Sequence, residues 1–323
     1  MSRPVDRLSR PASTTSSFAR PIVALCAALL FGLALASCGG GGSSPTAPVA
    51  PVADDLADAT AGLGTSPALL GDDLFDVTTS TGYAARAASP FAAIEPQSFY
   101  RWVSRNTRSY TFAFSDSDAA GHPRAADVTV NSARLGMLHL IPRPAGGGAP
   151  DTHNVIHKLM DDRWTRRVHL VRETVDTPQG ARDVWRVTQA SPVRIASQPG
   201  SRAIASLHLT GSALDVTVTD PAQMHALAQL PTAAADDSLT VTVVSGAADD
   251  DVFLYWQGQR TRMHPDGTGT HTLRIWSAAA TGLRSLGVNV LSRGTLHDDT
   301  SLYDSLGWIV PLWVGGTPAG VWP

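Results

Sequence analysis

Lysine occurs once in these 323 residues, at Lys158, and cysteine twice, at Cys26 and Cys38. A lone lysine leaves lysine-based covalent catalysis one candidate, with no supporting pattern around it. Charged residues make up only 16% of the chain, and the formal net charge is −3. Arg3, Arg7, Arg10 and Arg20 against Asp6 make the start of the chain positive, which leaves about −6 for the remainder. An acidic body lacks the basic face that a phosphate backbone needs, so nucleic acid is excluded as a partner. The motifs G-x-S-x-G and H-E-x-x-H, a phosphate-binding loop, and the S-x-x-K and K-T-G pair are all missing. Ten histidines leave a triad assembled in space open, but no reaction and no cofactor is indicated.

The clearest positive feature lies near the N-terminus. An apolar run over residues 22–36 follows the four arginines, which is the order of a secretory signal. At about 1.5 Å per residue it reaches only about 22 Å as a helix, short of a hydrocarbon core of about 30 Å. Leu35, Ala36, Ser37 and Cys38 end the run, and this hydrophobic-small-small-Cys sequence resembles the lipobox of bacterial lipoprotein precursors. The resemblance implies cleavage before Cys38, a diacylglycerol on its sulfur and anchorage in a lipid bilayer. Gly39 in place of Asp after the cysteine resembles the pattern of lipoproteins passed on to the outer membrane of Gram-negative bacteria. With Cys26 removed and Cys38 acylated, the mature chain has no thiol pair for a disulfide, and its stability must rest on a packed core.

Residues 38–65 are rich in Gly, Ser, Pro and Ala and carry few large apolar groups, so they are expected to form a disordered tether. Folded sequence is expected from residue 66, where Ser66 and Pro67 begin a short helix carrying Leu69, Leu70, Leu74 and Phe75. Period-2 alternation then dominates. Tyr110, Phe112 and Phe114 share one parity, as do Val128 with Val130, Leu138 with Leu140, and Trp164 with Val168 and Leu170. The clearest hairpin joins Leu207 and Leu209 through Gly211-Ser212 to Leu214, Val216 and Val218. Asp220, Pro221 and Gln223 read as a helix start, with Met224, Leu227 and Ala228 on one face and Pro231 as the stop.

Six strand signals follow, at residues 239–244, 252–257, 261–264, 270–276, 286–291 and 308–314. The chain is therefore read as all-β and mainly antiparallel. The expected order is a signal peptide (1–37), the tether (38–65), a β-rich domain ending in a short helix (66–232) and an immunoglobulin-like β-sandwich (233–323). Residues 164–173, 287–299 and 303–308 give the body a resemblance to exported bacterial proteins with no assigned activity, and no activity comes with it.

Metal ligands are looked for in three places. His153 and His157 have ligand spacing but follow a Pro/Gly-rich run and read as loop residues. Asp116, Asp118, Gly121 and Asp127 copy part of a calcium loop, with Ala120 and a final Asp breaking the pattern. Asp249, Asp250 and Asp251 with His297, Asp298, Asp299 and Asp304 can gather at one end of a sandwich, although Asp-rich turns are also ordinary strand connections. No metal site is assigned. Phe253, Leu254, Tyr255 and Trp256 are apolar at both parities, so the outer face of that strand is either covered or presents Tyr255 and Trp256 to a glycan or protein ligand. Trp276, beside Leu273 and Ile275, is expected in the core. The reading favoured is a membrane-anchored envelope lipoprotein with a non-catalytic binding or structural role. The alternative is a membrane-tethered hydrolase acting on an envelope polymer.

Overall fold

Three strands of 20 to 22 residues, far longer than the signals that announced them, form the spine of the molecule. The computed structural model describes residues 53–71, 73–76, 80–81, 94–143 and 154–316; the expected signal peptide and Cys38 lie outside them. Helix α1 (Ala53–Gly64), the single turn α2 (Pro67–Leu70), a 3-10 turn (Leu74–Asp76) and the short β1 (Ser80–Thr81) precede the spine strands β2 (Pro96–Ser117), β3 (Pro123–Pro142) and β4 (Ile156–Thr177). Then come β5 (Gly180–Ala190), β6 (Val193–Ser197), β7 (Ile204–Thr210), β8 (Asp215–Val218), β9 (His225–Ala226), a second 3-10 turn (Leu227–Gln229) and β10 (Thr232–Ala233). The last stretch holds β11 (Ser238–Ser245), β12 (Asp251–Trp256), β13 (Gln259–Arg262), β14 (His264–Pro265), β15 (Thr270–Trp276), β16 (Gly282–Leu291), α3 (Arg293–His297) and β17 (Ser305–Val314).

The chain is all-β and mainly antiparallel. A 12-stranded sheet runs β1-β13-β12-β16-β17-β6-β4-β3-β2, with β5, β9 and β10 attached off this path, and a 5-stranded sheet runs β14-β15-β11-β7-β8. The hairpin read at Gly211-Ser212 is present, with Leu207 opposite Val218 and Leu209 opposite Val216. The smaller sheet packs on β12, β16 and β17 through Leu207, Leu209, Val241 and Val243 against Val252, Leu254, Val288 and Val310. The opposite face of β12 and β17 carries Phe253, Tyr255 and Ile309, which meet Phe99, Leu138, Leu140 and Trp164 of the long strands. β12 is therefore an inner layer buried on both faces, which is why its residues are apolar at both parities.

The sandwich differs from the expected one in its boundary. Strands before and after residue 232 share both sheets, β17 with β6 and β11 with β7, and the described residues belong to one compact unit. The helix read from Asp220 is a correction as well. Asp220 closes an Asx turn onto the Ala222 amide at 2.8 Å, and His225 and Ala226 then pair with Ala190 and Gln189 of β5. An open strand edge captures this segment, and only a 3-10 turn with Leu227 buried remains of the apolar face.

Residues 38–52 lie outside the described residues, and residues 53–64, expected in the tether, instead form helix α1. Its inward face is made of small groups. A Cβ on Gly62 would lie 2.6 Å from the Trp185 Cβ, so only glycine allows the helix so close to β5. Ala59 and Leu63 are buried there beside Trp185 and Val168. Asp55 adds a polar anchor within reach of Arg172 (3.6 Å) and His122 (3.4 Å). Close approach replaces the large side chains whose scarcity suggested disorder.

Candidate functional site

Two arrangements of side chains stand out, one inside the curled sheet and one on its outer face. Inside, Arg101 Nη2 donates to Asn289 Oδ1 (2.8 Å) and to the Tyr303 hydroxyl (2.9 Å), and Tyr303 in turn donates to Asp162 Oδ2 (3.1 Å). Asn289 Nδ2 donates to Ser305 Oγ at 2.8 Å. This network ties β2 and β4 to β16 and β17, and all five residues are buried. Burial pushes the Asp162 carboxyl up, against the pull of Arg101 and Arg134. For Arg101, burial opposes the charge, but Tyr303, Tyr255 and Asp162 outweigh it and hold the guanidinium above its ordinary value. The network is only partly satisfied, since Arg101 Nε and Nη1 and Asp162 Oδ1 are buried with no hydrogen-bond partner among the described residues, and a partly satisfied buried network carries a desolvation cost.

The acidic residues at the end of the sandwich do come together. Their partners are basic side chains: Arg202 bridges Asp250 (2.7 Å) and Asp304 (2.9 Å), and Asp251 binds Arg262 and the His297 ring. Asp298 turns back on Thr300 and Ser301. In the calcium-loop candidate, Asp118 accepts from the amides of Ala120 and His122, while Asp127 bonds His169 at 2.9 Å. His157 lies on the extended β4, and His153 is outside the described residues. Among the described residues no group of three or more His, Cys, Asp or Glu side chains is placed to hold a metal ion. No helix among them is long and apolar enough to cross a membrane.

Tyr255 and Trp256 do not form an exposed aromatic face. Tyr255 is fully buried against Phe75 with ring centroids 4.5 Å apart, and Trp256 donates its Nε1 to the Trp276 carbonyl at 2.8 Å. Trp256 keeps an edge on a surface cavity shared with Gln257, Thr261 and Trp276. Trp276 is 69% exposed, a correction with a simple cause. His271, Leu273 and Ile275 point inward on β15, and an even-numbered neighbour must point out.

The outer face of β2, β3 and β4 carries what the sequence reading missed. Tyr100, His139 and His157 occupy one cross-strand row, and Trp102, Met137 and Leu159 the next. Tyr100 stacks on His139 with centroids 4.6 Å apart and planes 5° apart; His157 meets the same ring edge-on at 4.6 Å. Trp102 is 55% exposed and Leu159 79%. Burial among these rings, and then the nearby His157 charge, pull the His139 pKa below its ordinary value. A β-bulge at Ser104 ends the platform, and a Cβ on Gly136 would lie 2.0 Å from the Trp102 carbonyl oxygen, so glycine is required for that approach. Beyond the bulge the same face continues as a shallow groove of Thr107, Ser109, Asn131, Ala133, Arg163 and Thr165.

Searches against family models, curated proteins and solved structures return no match.

Proposed function

We propose that this chain is a lipoprotein of the bacterial cell envelope, acylated at Cys38, anchored in the outer membrane of a Gram-negative cell and acting by binding, not by catalysis. The Leu35-Ala36-Ser37-Cys38 run behind an apolar, arginine-led segment supports the anchor. The observation that carries the binding role is the exposed pair of rows around Trp102 and Tyr100, which continues into a groove of hydroxyl, amide and guanidinium groups. Aromatic faces with polar groups beside them suit a sugar, whose C–H face stacks on a ring while its hydroxyls hydrogen-bond. A glycan of the envelope is therefore the ligand class proposed.

Mass spectrometry of the mature N-terminus should find a diacylated or triacylated Cys38, and Cys38→Ala should release the protein from the membrane fraction. An unmodified terminus elsewhere would overturn the anchor. Binding to isolated envelope polysaccharide should weaken about tenfold in Trp102→Ala, equivalent to about 1.4 kcal/mol. Trp276→Ala, an exposed tryptophan far from the platform in sequence, should bind as the parent does. Equal binding by parent and Trp102→Ala would refute the platform as the glycan site.

A further inference from the structure

β4 carries a cation that the network described above leaves out. Arg166 is 5% exposed, yet it makes no hydrogen bond and no ion pair with the described residues, and its Nε is buried without an acceptor. Burial pushes its guanidinium down to about 10, with no neighbouring group opposing the shift. Two residues earlier on the same strand face, Trp164 also has a buried Nε1–H with no acceptor among the described residues. Both residues line one small, partly open cavity beside α2, together with Leu69, Leu70, Val130 and Val193. Arg108, Ser132 and Thr165 add to its polar lining, and no carboxylate borders it among the described residues.

We infer that this cavity is a binding site for one small monovalent anion of chloride size, held by Arg166 and by the Trp164 Nε1–H. Charge, hydrogen-bond donors and size all point to such an ion. A buried guanidinium without a counter-charge is among the costliest groups a fold can contain. The carboxylates nearest in the network are committed elsewhere, Asp162 to Tyr303 and Asp76 to Arg134. Arg134, which stands over the Trp164 ring at 5.1 Å, is already paired with Asp76. A water would give the indole an acceptor but leave the charge in place, whereas an anion meets both needs. The cavity is about 20 Å³, close to the space of a single small ion and far too small for an organic ligand.

The test follows thermal unfolding of the full-length protein in detergent as sodium gluconate is replaced by sodium chloride at constant ionic strength. The wild-type midpoint should rise along a saturating curve by about 3 °C, because a ligand bound only by the folded state stabilises it. Arg166→Met should lose this response while being at least as stable as wild type in gluconate, since it buries no unpaired charge. Trp164→Phe keeps the ring and removes one donor, so about five times more chloride should be needed for half the effect, on the scale of one hydrogen bond. Crystals grown in bromide should show an anomalous peak within hydrogen-bond distance of both residues. A wild-type midpoint that does not respond to chloride, an Arg166→Met variant that responds like wild type, or a water without anomalous signal at that position would overturn the site.

Discussion

Phe75 lies flat on the backbone of Gly307: a Cβ at that glycine would sit 2.4 Å from the ring Cε2, and one at Gly287 would sit 2.5 Å from Cε1. Two glycines in adjacent strands β16 and β17 thus floor a slot for one aromatic ring, which Tyr255 and Trp164 wall at centroid distances of 4.5 and 6.1 Å. Gly307→Ala must displace the ring and should destabilise by about 1–3 kcal/mol, the usual cost of overpacking. Phe75→Ala should cost about 3–5 kcal/mol. In urea unfolding the double variant should lose clearly less than the two single losses added, because the clash disappears with the ring. Strict additivity would show that Gly307 is needed for another reason.

Lys158 is buried on β4 and donates to the carbonyls of Gly294 and Asp298, and burial lowers it to about 8 against the weaker opposing pull of Asp298 and Asp299. The unfolded chain holds this proton up to its ordinary 10.5, so between pH 8 and 10.5 the unfolded state binds more protons and stability rises with pH. Below pH 8 both states are protonated and the cost of burying the charge is present in full. The difference in unfolding free energy between wild type and Lys158→Met should therefore shift in favour of wild type across that window, by on the order of 2 kcal/mol. A difference independent of pH would place the ammonium in solvent.

How far the fold could be read beforehand depended on what each signal encodes. Parity located the hairpin at 207–218 and strands β11 and β15, where burial of one face is written directly in a two-residue period, whereas β12, β16 and β17 announced themselves as apolar runs buried at both parities. The same rule already turned Trp276 outward; reading its apolar neighbours instead of its parity put it in the core. The platform was hidden by the bulge at Ser104, which lets Phe99 and Arg101 point inward before it and Arg108, Tyr110 and Phe112 after it, so no single parity describes β2. Helix α1 escaped because close approach through Gly62 and Ala59 leaves no hydrophobic signature. The gathering of Asp250, Asp251 and Asp304 was legible, whereas their partners Arg202 and Arg262 were not, since ion pairs across strands have no fixed spacing.

His139 gives the platform a pH dependence. Both its ring nitrogens are buried without a hydrogen-bond partner among the described residues, and its pKa lies below the ordinary 6.5 through burial first and His157 second. Its neutral form is the one the fold favours, so the stability it contributes is present above pH 6.5 and is lost as pH falls toward its folded pKa. The ring proton signals in NMR should titrate with a midpoint below 6.5. His157→Ala should move that midpoint part of the way back, because burial remains. A midpoint unmoved by His157→Ala would assign the whole shift to burial.

Trp256 and Trp276 touch through one hydrogen bond but should behave oppositely when truncated. Trp256 belongs to the core between the two sheets, 7% exposed, beside Leu254 and Leu286. Trp256→Ala removes a large buried ring and should cost about 3–5 kcal/mol, a large share of the 5–15 kcal/mol typical of a folded protein. Trp276 accepts the Trp256 Nε1–H through its backbone carbonyl, which alanine retains, and its own ring faces outward on β15. Trp276→Ala should therefore stay within about 0.5 kcal/mol of the parent, as surface substitutions do. Guanidinium unfolding of the two variants distinguishes the cases directly. A Trp276→Ala midpoint as low as that of Trp256→Ala would mean that the exposed ring is covered in the folded protein, and it would move the outer face of β15 from solvent into an interface.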